Sequence, residues 1–387
     1  MDNIYIDFTH SLPIKGAKYH GGGNYTKRLL NLISQVPNLK KNVIVLWPKG
    51  YSANSKEEES IRNSDKLLIQ EVEQVNENVD FRDKSVLFFP LLNLRDWKIA
   101  KIIKKKYPNI KIYITIHGLR LLDLKADKYD SFYYNKKGFK FYAPIEHLIK
   151  SVLYKKIVKD SLPYFDKIFT VSNYSLQQIV KMGNVNFINH YYQGIILENR
   201  PIKIKIKNDY ILFVGANRAE KNFIRALEAF CNYKKRKQNE VFLYVTGVDE
   251  NMKNKIFRNY DSEIKKIMNS WVKFFDYVET DYLNDLYKQC IFFLYTSKSE
   301  GFGLPVMEAI LNRRPVVASY ITSIPEVAGS AVYYVNPYNV ESIEKGIAYM
   351  SDPVNLNRYE KMVQKRVLNM KERVEIDQEA FIEEILK

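Results

Sequence analysis

The residues best suited to chemistry are Glu300 and Glu308, which bracket a Gly-Phe-Gly turn and a proline in EGFGLPVME, 300–308. Gly301 and Gly303 let the backbone approach a ligand closely. Pro305 suits the start of a helix, where no N–H is needed. An apolar run, 291–295, enters the segment, and a helix-like run, 307–311, leaves it. The pattern predicts a strand, a tight loop and a helix N-terminus, whose free N–H groups and positive end hold a phosphate. A carboxylate beside a phosphate would repel it, so the two glutamates suit hydroxyls better. Hydroxyls together with a phosphate point to a nucleotide sugar.

A second loop reads the same way. The strand-like run 210–214 leads into GANRAEKN, 215–222, and then into a helical pattern. Gly215 provides the tight turn. Arg218 and Lys221 stand near the helix start, where a guanidinium fork and a mobile ammonium can neutralise a diphosphate. The plainer reading is a solvated basic turn, and it weakens because both loops follow strands of one series. Ser323 and Glu326 are spaced as a capping box and are assigned to a helix start. Thr296 and Ser297 can serve the loop or the ligand.

In the first half, KYHGGGNYTKRLLNLI, 18–33, places Gly21, Gly22 and Gly23 before Asn24 and an amphipathic helix. Asn24 is the expected N-cap. A glycine loop of this kind contacts a phosphate or sugar at close range, and a flexible turn is the alternative. His117 ends the strand-like run 110–116 and precedes Gly118. It is a candidate site residue, although a lone histidine is more often structural. The stretch 145–160 has Ile145, Leu148, Ile149, Val152 and Ile157 on one side and Lys150, Lys155, Lys156 and Lys159 around the rest. It reads as a surface helix packed on its sheet, with docking to an anionic membrane as the alternative.

These segments need elements to position them. Strand-like runs at 4–8, 43–47, 86–89, 110–116, 167–171 and 185–188 form one series; those at 210–214, 241–245, 272–278, 291–295, 315–318 and 332–335 form another. Helical patterns between them predict an α/β chain of two doubly wound domains with parallel sheets. The charged stretch 197–209 reads as the linker. A length of 387 residues and 46% hydrophobic content suit two cores. Cys231 and Cys290 form neither a disulfide framework nor a zinc pattern, which fits a reducing compartment. The N-terminal residues lack the basic and apolar regions of a signal peptide, and no run has the ~18 apolar residues of a membrane span. The net charge of +16 favours anionic partners. No zinc-finger, RNA-recognition or basic-zipper pattern accompanies it, so nucleic acid is not an expected partner.

The stretch FFDYVETDYLNDLYKQCIFFLYTSKSEGFGLPVMEAILNRRPVVASYITSIPEVAGSAVYYVNP resembles the retaining glycosyltransferases of glycosyltransferase family 4, whose signature is two glutamates with seven residues between them. ILFVGANRAEKN is similar to their donor-phosphate loop, YFDKIFTVSNYS, 164–175, to their strand entering the interdomain region, and ITIH, 114–117, to their interdomain histidine motif. The resemblance implies the GT-B fold: two Rossmann-like doubly wound domains facing a central cleft. It divides the chain into an acceptor-side domain, 1–200, a donor-nucleotide domain, 201–370, and a C-terminal helix, 371–387, returning to the N-terminal domain.

The resemblance also implies roles. Glu308 would bind the donor ribose, and Glu300 the transferred sugar and its developing positive charge. Backbone N–H groups of Gly301, Phe302, Gly303 and Leu304 would hold sugar hydroxyls and phosphate. Gly215, Arg218 and Lys221 would serve the diphosphate, and His117 would line the sugar pocket. Gly21 and Gly23 match the family's glycines, with Gly22 an extra one. Three departures stand out: Asp276 before Tyr277, Arg313 with Arg314 before Pro315, and Glu220 before Lys221.

The expected activity is retaining transfer of a hexose from a GDP- or UDP-sugar to a glycan or lipid-linked glycan, in surface polysaccharide or glycolipid synthesis. No metal and no cofactor is expected, since Asp-x-Asp is absent from the sequence. The expected location is the cytoplasm, with peripheral attachment to the inner face of the plasma membrane. A GT-B sugar-nucleotide epimerase and a non-catalytic partner of another transferase are the alternatives.

Overall fold

The computed structural model describes residues 3–12, 21–82, 84–93, 96–125, 127–133, 139–183, 185–192, 201–237 and 239–387. The chain divides into two compact units, one of residues 1–122, 150–193 and 374–387 and one of residues 123–149 and 194–373.

The first unit is built on β1 (Asn3–Asp7), α1 (Gly21–Gln35), β2 (Asn42–Pro48), α2 (Lys56–Arg62), β3 (Leu67–Val72), β4 (Val86–Phe89), α3 (Ile99–Lys106), β5 (Lys111–Ile116) and α4 (Arg120–Asp123). It continues with α5 (Phe139–Ser161), which begins among residues of the second unit, then β6 (Lys167–Thr170), α6 (Asn173–Val180) and β7 (Ile188–His190). Its seven strands are all parallel, in the order β3-β2-β1-β4-β5-β6-β7. Ile4 pairs with Val43 on one side and Val86 on the other. β1 and β4 are buried along their whole length, because helices cover both faces of a parallel sheet and both sets of alternating side chains must be apolar. One face packs Leu29, Leu30 and Ile33 of α1 with Phe381 and Ile385; the other packs Ala100 and Ile103 of α3 with Val158 of α5.

The second unit contains β8 (Tyr210–Phe213), α7 (Phe223–Arg236), β9 (Phe242–Thr246), α8 (Glu250–Arg258), α9 (Ser262–Trp271), β10 (Val272–Phe275), α10 (Thr280–Gln289), β11 (Phe292–Tyr295), α11 (Leu304–Leu311), β12 (Val316–Ser319), α12 (Ile324–Ala328), β13 (Val332–Val335), α13 (Val340–Met350) and α14 (Pro353–Leu386). The six strands run parallel in the order β10-β9-β8-β11-β12-β13. Helix α14 continues past residue 373 into the residues of the first unit, supplying Phe381 and Ile385 to its core.

Several elements differ from the sequence reading. β3 was missing from it; this edge strand has exposed or half-exposed residues between buried ends and so lacks the continuous apolar run of its neighbours. The three glycines are not a loop before a cap: Gly21 to Gly23 already lie in the first turn of α1, and Asn24 is inside the helix. Residues 13–20 and 193–200, holding the start of the glycine segment and of the linker, lie outside the described residues. The division at residue 200 also differs, because 123–149 belong with the second unit. Arg225 of α7 donates to both carboxylate oxygens of Asp127 at 2.9 and 3.0 Å, and Ser299 donates to Asp123 at 3.0 Å. These contacts join residues about a hundred or more positions apart, beyond the reach of local periodicity.

Candidate active site at the carboxyl ends of β8 and β11

In each sheet the strand order reverses direction at one place, between β1 and β4 in the first unit and between β8 and β11 in the second. Open α/β sheets bind ligands beyond the carboxyl ends of the strands at such a point. The loops leaving β8 and β11 are 214–222 and 296–303, the two segments singled out in the sequence.

Their geometry comes from backbone that few residues adopt. Gly215 has φ +80° and Gly303 φ +98°, both in the left-handed region that glycine occupies without a Cβ penalty. Asn222, also left-handed at φ 64°, ends the short 3-10 turn Ala219–Lys221 and starts α7. Its side-chain amide donates to the carbonyls of Thr296 at 3.1 Å and Pro337 at 2.7 Å, tying one loop to the other. Lys298 N–H donates to the Glu220 carbonyl at 2.7 Å, and Ser297 Oγ lies 3.1 Å from the same oxygen.

The two loops meet at Lys221 and Glu300. The Lys221 ammonium lies 2.6 Å from Glu300 Oε1 and also donates to the Tyr295 hydroxyl. Tyr295 and Ser297 each donate to the same Oε1 at 2.6 Å. Burial would push the Glu300 carboxyl up, but Lys221 and the two hydroxyls outweigh it and hold it below the usual carboxylate range. Burial, with help from Arg218, pulls the Lys221 ammonium below its ordinary value against the pull of Glu300. The result is an anionic carboxylate with three donors on one oxygen. Tyr295 is pushed up by burial and by Glu300, so it stays a hydrogen-bond donor.

The Glu300 main chain is equally constrained: its N–H donates to Thr322 Oγ1 at 3.1 Å, and its carbonyl accepts from Ser323 Oγ at 3.0 Å. Ser323 therefore serves the glutamate loop, and its side chain makes no cap hydrogen bond to α12, unlike the capping-box reading. Lys298, almost fully buried, is paired with Asp130 and lies 3.5 Å from Asp127. Burial would raise the Asp127 carboxyl, but Arg225 and Lys298 hold it below its usual value. Burial keeps the Asp130 carboxyl above its usual value despite Lys298.

The remaining predicted residues take distinct places. Arg218 caps the 3-10 turn and its half-exposed guanidinium is held by Glu220 through Nε at 2.6 Å. Glu220, one of the departures, thus orients Arg218. Gly303 precedes α11, and Leu304 is its first residue. Glu308 lies on α11 and is half-buried, whereas Phe302 packs inward. Arg313 and Arg314 follow the other end of α11. Arg314 N–H closes on the Ala309 carbonyl at 2.9 Å, so this departure bears on how the helix ends. The Asp276 carbonyl accepts from Gly247 N–H at 2.8 Å. A Cβ on Gly247 would sit 3.1 Å from the Ala216 nitrogen, so this glycine permits the close approach of the 215–217 turn.

The first unit holds the other candidates. His117 Nε2 donates to the Pro90 carbonyl at 2.8 Å, which keeps the proton on that nitrogen. Its ring meets Tyr25 edge to face at 4.7 Å. His117 lines a cavity of about 130 Å³ with Leu91, Leu92, Trp97, Thr115 and Tyr154. Gly21 to Gly23 are in α1, on the chain that follows β1.

Sequence reasoning missed His10. It follows β1, with Nδ1 2.6 Å from the fully buried Asp7 and Nε2 3.4 Å from Asp96 in the segment after β4. Burial opposes its proton, but the two carboxylates outweigh burial and raise its pKa above the ordinary value. The signal was its place directly after an apolar strand with Asp7 three residues earlier. Tyr295, Ser297 and Lys298 were also undervalued as parts of a strand and its loop.

Comparison with known proteins bears on the family and the fold. Residues 196–366 match the family model of the glycosyl transferases group 1. The chain is 27% identical over 227 residues, 54% of its length, to the Escherichia coli protein named O-antigen chain mannosyltransferase B. It is 29% identical over 210 residues, also 54% of its length, to O-antigen chain mannosyltransferase RfbU of Salmonella typhimurium LT2. The match covers 57% of each, so the chain spans about half the length of the curated relatives it matches. Among solved structures, sucrose-phosphate synthase from Thermosynechococcus elongatus superposes with a TM-score of 0.67 at 13% identity, covering 96% of this chain and 95% of that one. At that identity the likeness is one of fold: two Rossmann-like units of the GT-B type.

Proposed function

We propose that this chain, whose residues 196–366 match the family model of the group 1 glycosyl transferases, moves a hexose from a nucleotide diphosphate sugar to a hydroxyl of a glycan or lipid-linked glycan. The observation that carries the proposal is the enclosed Lys221–Glu300 pair bridging the β8 and β11 loops, beside the glycine turn that opens α11. The relatives' names support mannose as the hexose and surface polysaccharide synthesis as the setting. A GDP- or UDP-activated donor is proposed from the family resemblance of the 215–222 and 300–308 segments. The named relatives are all transferases, so nothing favours the epimerase alternative.

In the proposed reaction the acceptor oxygen bonds to the anomeric carbon as the bond from that carbon to the leaving phosphate breaks. The acceptor's proton passes to the leaving phosphate oxygen, on the same face, giving retention. Glu300, held anionic, stabilises positive charge developing on the sugar and orients its hydroxyls. Arg218 and the N–H groups at the start of α11 stabilise the departing diphosphate. Lys221 adds positive potential there and fixes Glu300. Glu308 holds the ribose hydroxyls. His117, with its proton committed to Pro90 through Nε2, orients the sugar. No metal-held step is needed in this scheme, and turnover that EDTA abolishes would contradict it.

A donor panel tests the proposal. Activated mannose, glucose, galactose and N-acetylhexosamines are each scored by nucleoside diphosphate release and by thermal shift. Release and stabilisation with one donor, mannose first, is the expected outcome. Thermal stabilisation by donors without release under any acceptor condition would favour a non-catalytic partner.

A further inference from the structure

Asp276 is a departure from the family pattern to which the transfer reaction gives no task. It directly follows β10, and its side chain is exposed. Backbone contacts set its place. Gly247 N–H donates to the Asp276 carbonyl at 2.8 Å and Val248 N–H to the Phe275 carbonyl at 2.9 Å, so the chains leaving β9 and β10 stay joined past the strands. Ala216 N–H in turn donates to the Thr246 carbonyl at 2.9 Å, next to Gly247, whose φ is +85°. One line of backbone contacts therefore runs from the 215–217 turn, assigned to the diphosphate, through Gly247 to Asp276.

The ordinary structural uses of such an aspartate do not apply. Asp249, after β9, caps α8 by accepting from Met252 N–H at 2.7 Å. Asp276 starts no helix, because the residue before α10 is Glu279. Among the described residues nothing pairs with its carboxylate. Strands β8, β9 and β10 are neighbours, and two strand spacings of ~4.8 Å put the end of β10 about 10 Å from the 215–217 turn. That exceeds a Debye length of about 8 Å, so the carboxylate does not expel a diphosphate held there. A ribose and a base fill the same distance. On the other side of the crevice Thr322 and Ser323, after β12, hold the Glu300 main chain. That side suits the transferred sugar and leaves the β9–β10 side to the nucleoside.

A carboxylate without a partner chooses among bases by their donors. Guanine presents N1–H and a 2-amino N–H side by side, which match two carboxylate oxygens. Uracil presents one N3–H between two carbonyl oxygens, which a carboxylate repels. Adenine and cytosine each set a ring-nitrogen acceptor beside the amino group, with the same result.

We propose that Asp276 reads the donor's base, accepting the N1–H and 2-amino N–H of guanine and so selecting a GDP-sugar over a UDP-sugar. This rests on the transfer reading and assigns its base specificity to one residue. The test titrates GDP, UDP, inosine diphosphate and xanthosine diphosphate into the full chain by calorimetry. GDP is expected to bind about tenfold or more tighter than UDP, with inosine diphosphate, which lacks the 2-amino group, in between. Asp276→Asn is expected to weaken GDP by about tenfold or more and to strengthen xanthosine diphosphate, whose C2 carbonyl accepts from the new amide. It should not weaken UDP, and thermal unfolding without nucleotide should stay unchanged. Wild-type binding of UDP as tight as GDP overturns the proposal, as does an Asp276→Asn variant that weakens GDP no more than UDP. Either result leaves the transfer reading standing, because a nucleoside diphosphate still binds. Binding of none of the four nucleotides by the wild-type chain would overturn both.

Discussion

The crevices at which the two sheets reverse are each spanned by a charged contact, and the contacts are built differently. In the second unit the span is Lys221 to Glu300, with side-chain exposures of 7 and 12% and two further hydroxyls on the same carboxylate oxygen. In the first unit it is His10 to Asp96 at 3.4 Å, where Asp96 is 43% exposed. Water screens the second partner of His10 and is largely kept from the pair in the second unit. One crevice is thus a fixed electrostatic frame, and the other is a looser polar cluster that responds to pH. A frame of fixed charge suits the stabilisation of a charged transition state, which requires dipoles and charges already in place.

Removing one side of the frame tests this difference most severely. Glu300→Ala leaves an ammonium without its counter-charge, and breaking a buried pair costs about 3–5 kcal/mol. Thermal unfolding should show that loss, and nucleoside diphosphate release should fall by about a hundredfold or more. Combining Lys221→Met with Glu300→Gln should recover much of the stability and none of the activity. A double variant as unstable as Glu300→Ala would show that the pair is not the source of the cost.

The next effect belongs to the clamp behind the frame. Lys298→Met removes the cation between Asp127 and Asp130 and is expected to lower stability by about 2 kcal/mol or more. Turnover should fall with it, because residues 296–300 lose an anchor. Denaturant unfolding and initial rates together check this, and full turnover would detach the clamp from the site. Arg218→Ala follows, with the opposite signature. Its guanidinium is 51% exposed, so stability should change by under ~1 kcal/mol while turnover drops by about ten- to a hundredfold. Unchanged turnover would remove Arg218 from the diphosphate.

The smallest effect is in the first unit and is read through pH. The folded-state pKa of His10 lies above its ordinary 6.5. Its contribution to stability is therefore fully present below that value and is lost as pH rises through the folded-state pKa. His10→Gln should destabilise the protein more at pH ~6 than at pH ~8.5. Equal losses at both pH values would mean that the imidazolium charge is not what holds Asp7 and Asp96.

Much of this was legible in the chain. Apolar runs separated by helical periods carry the two parallel sheets, because strands covered on both faces must be apolar throughout. Glycine spacing carries the loops, because Gly215 and Gly303 take backbone angles disfavoured for other residues. The glutamates, Arg218 and Lys221 stood out because charged groups beside such turns suit the hydroxyls and phosphates of a ligand. The edge strand β3 was not legible, since its half-exposed residues lack the pattern. Nor was the role of His10, whose partner Asp96 is distant in sequence.

The sequence by itself determined the doubly wound series, the loops that leave β8 and β11 and the residue types they carry, because periodicity and backbone chemistry are local properties. Only the tertiary structure decided that Lys221 is committed to Glu300, that Ser323 supports a carbonyl in place of a cap, and that 123–149 belong with the second unit. The outward exposure of α5 was decided there as well. Partner choice for a buried charge, and which face of a helix meets water, depend on what the rest of the chain packs against it, and local spacing holds no record of that.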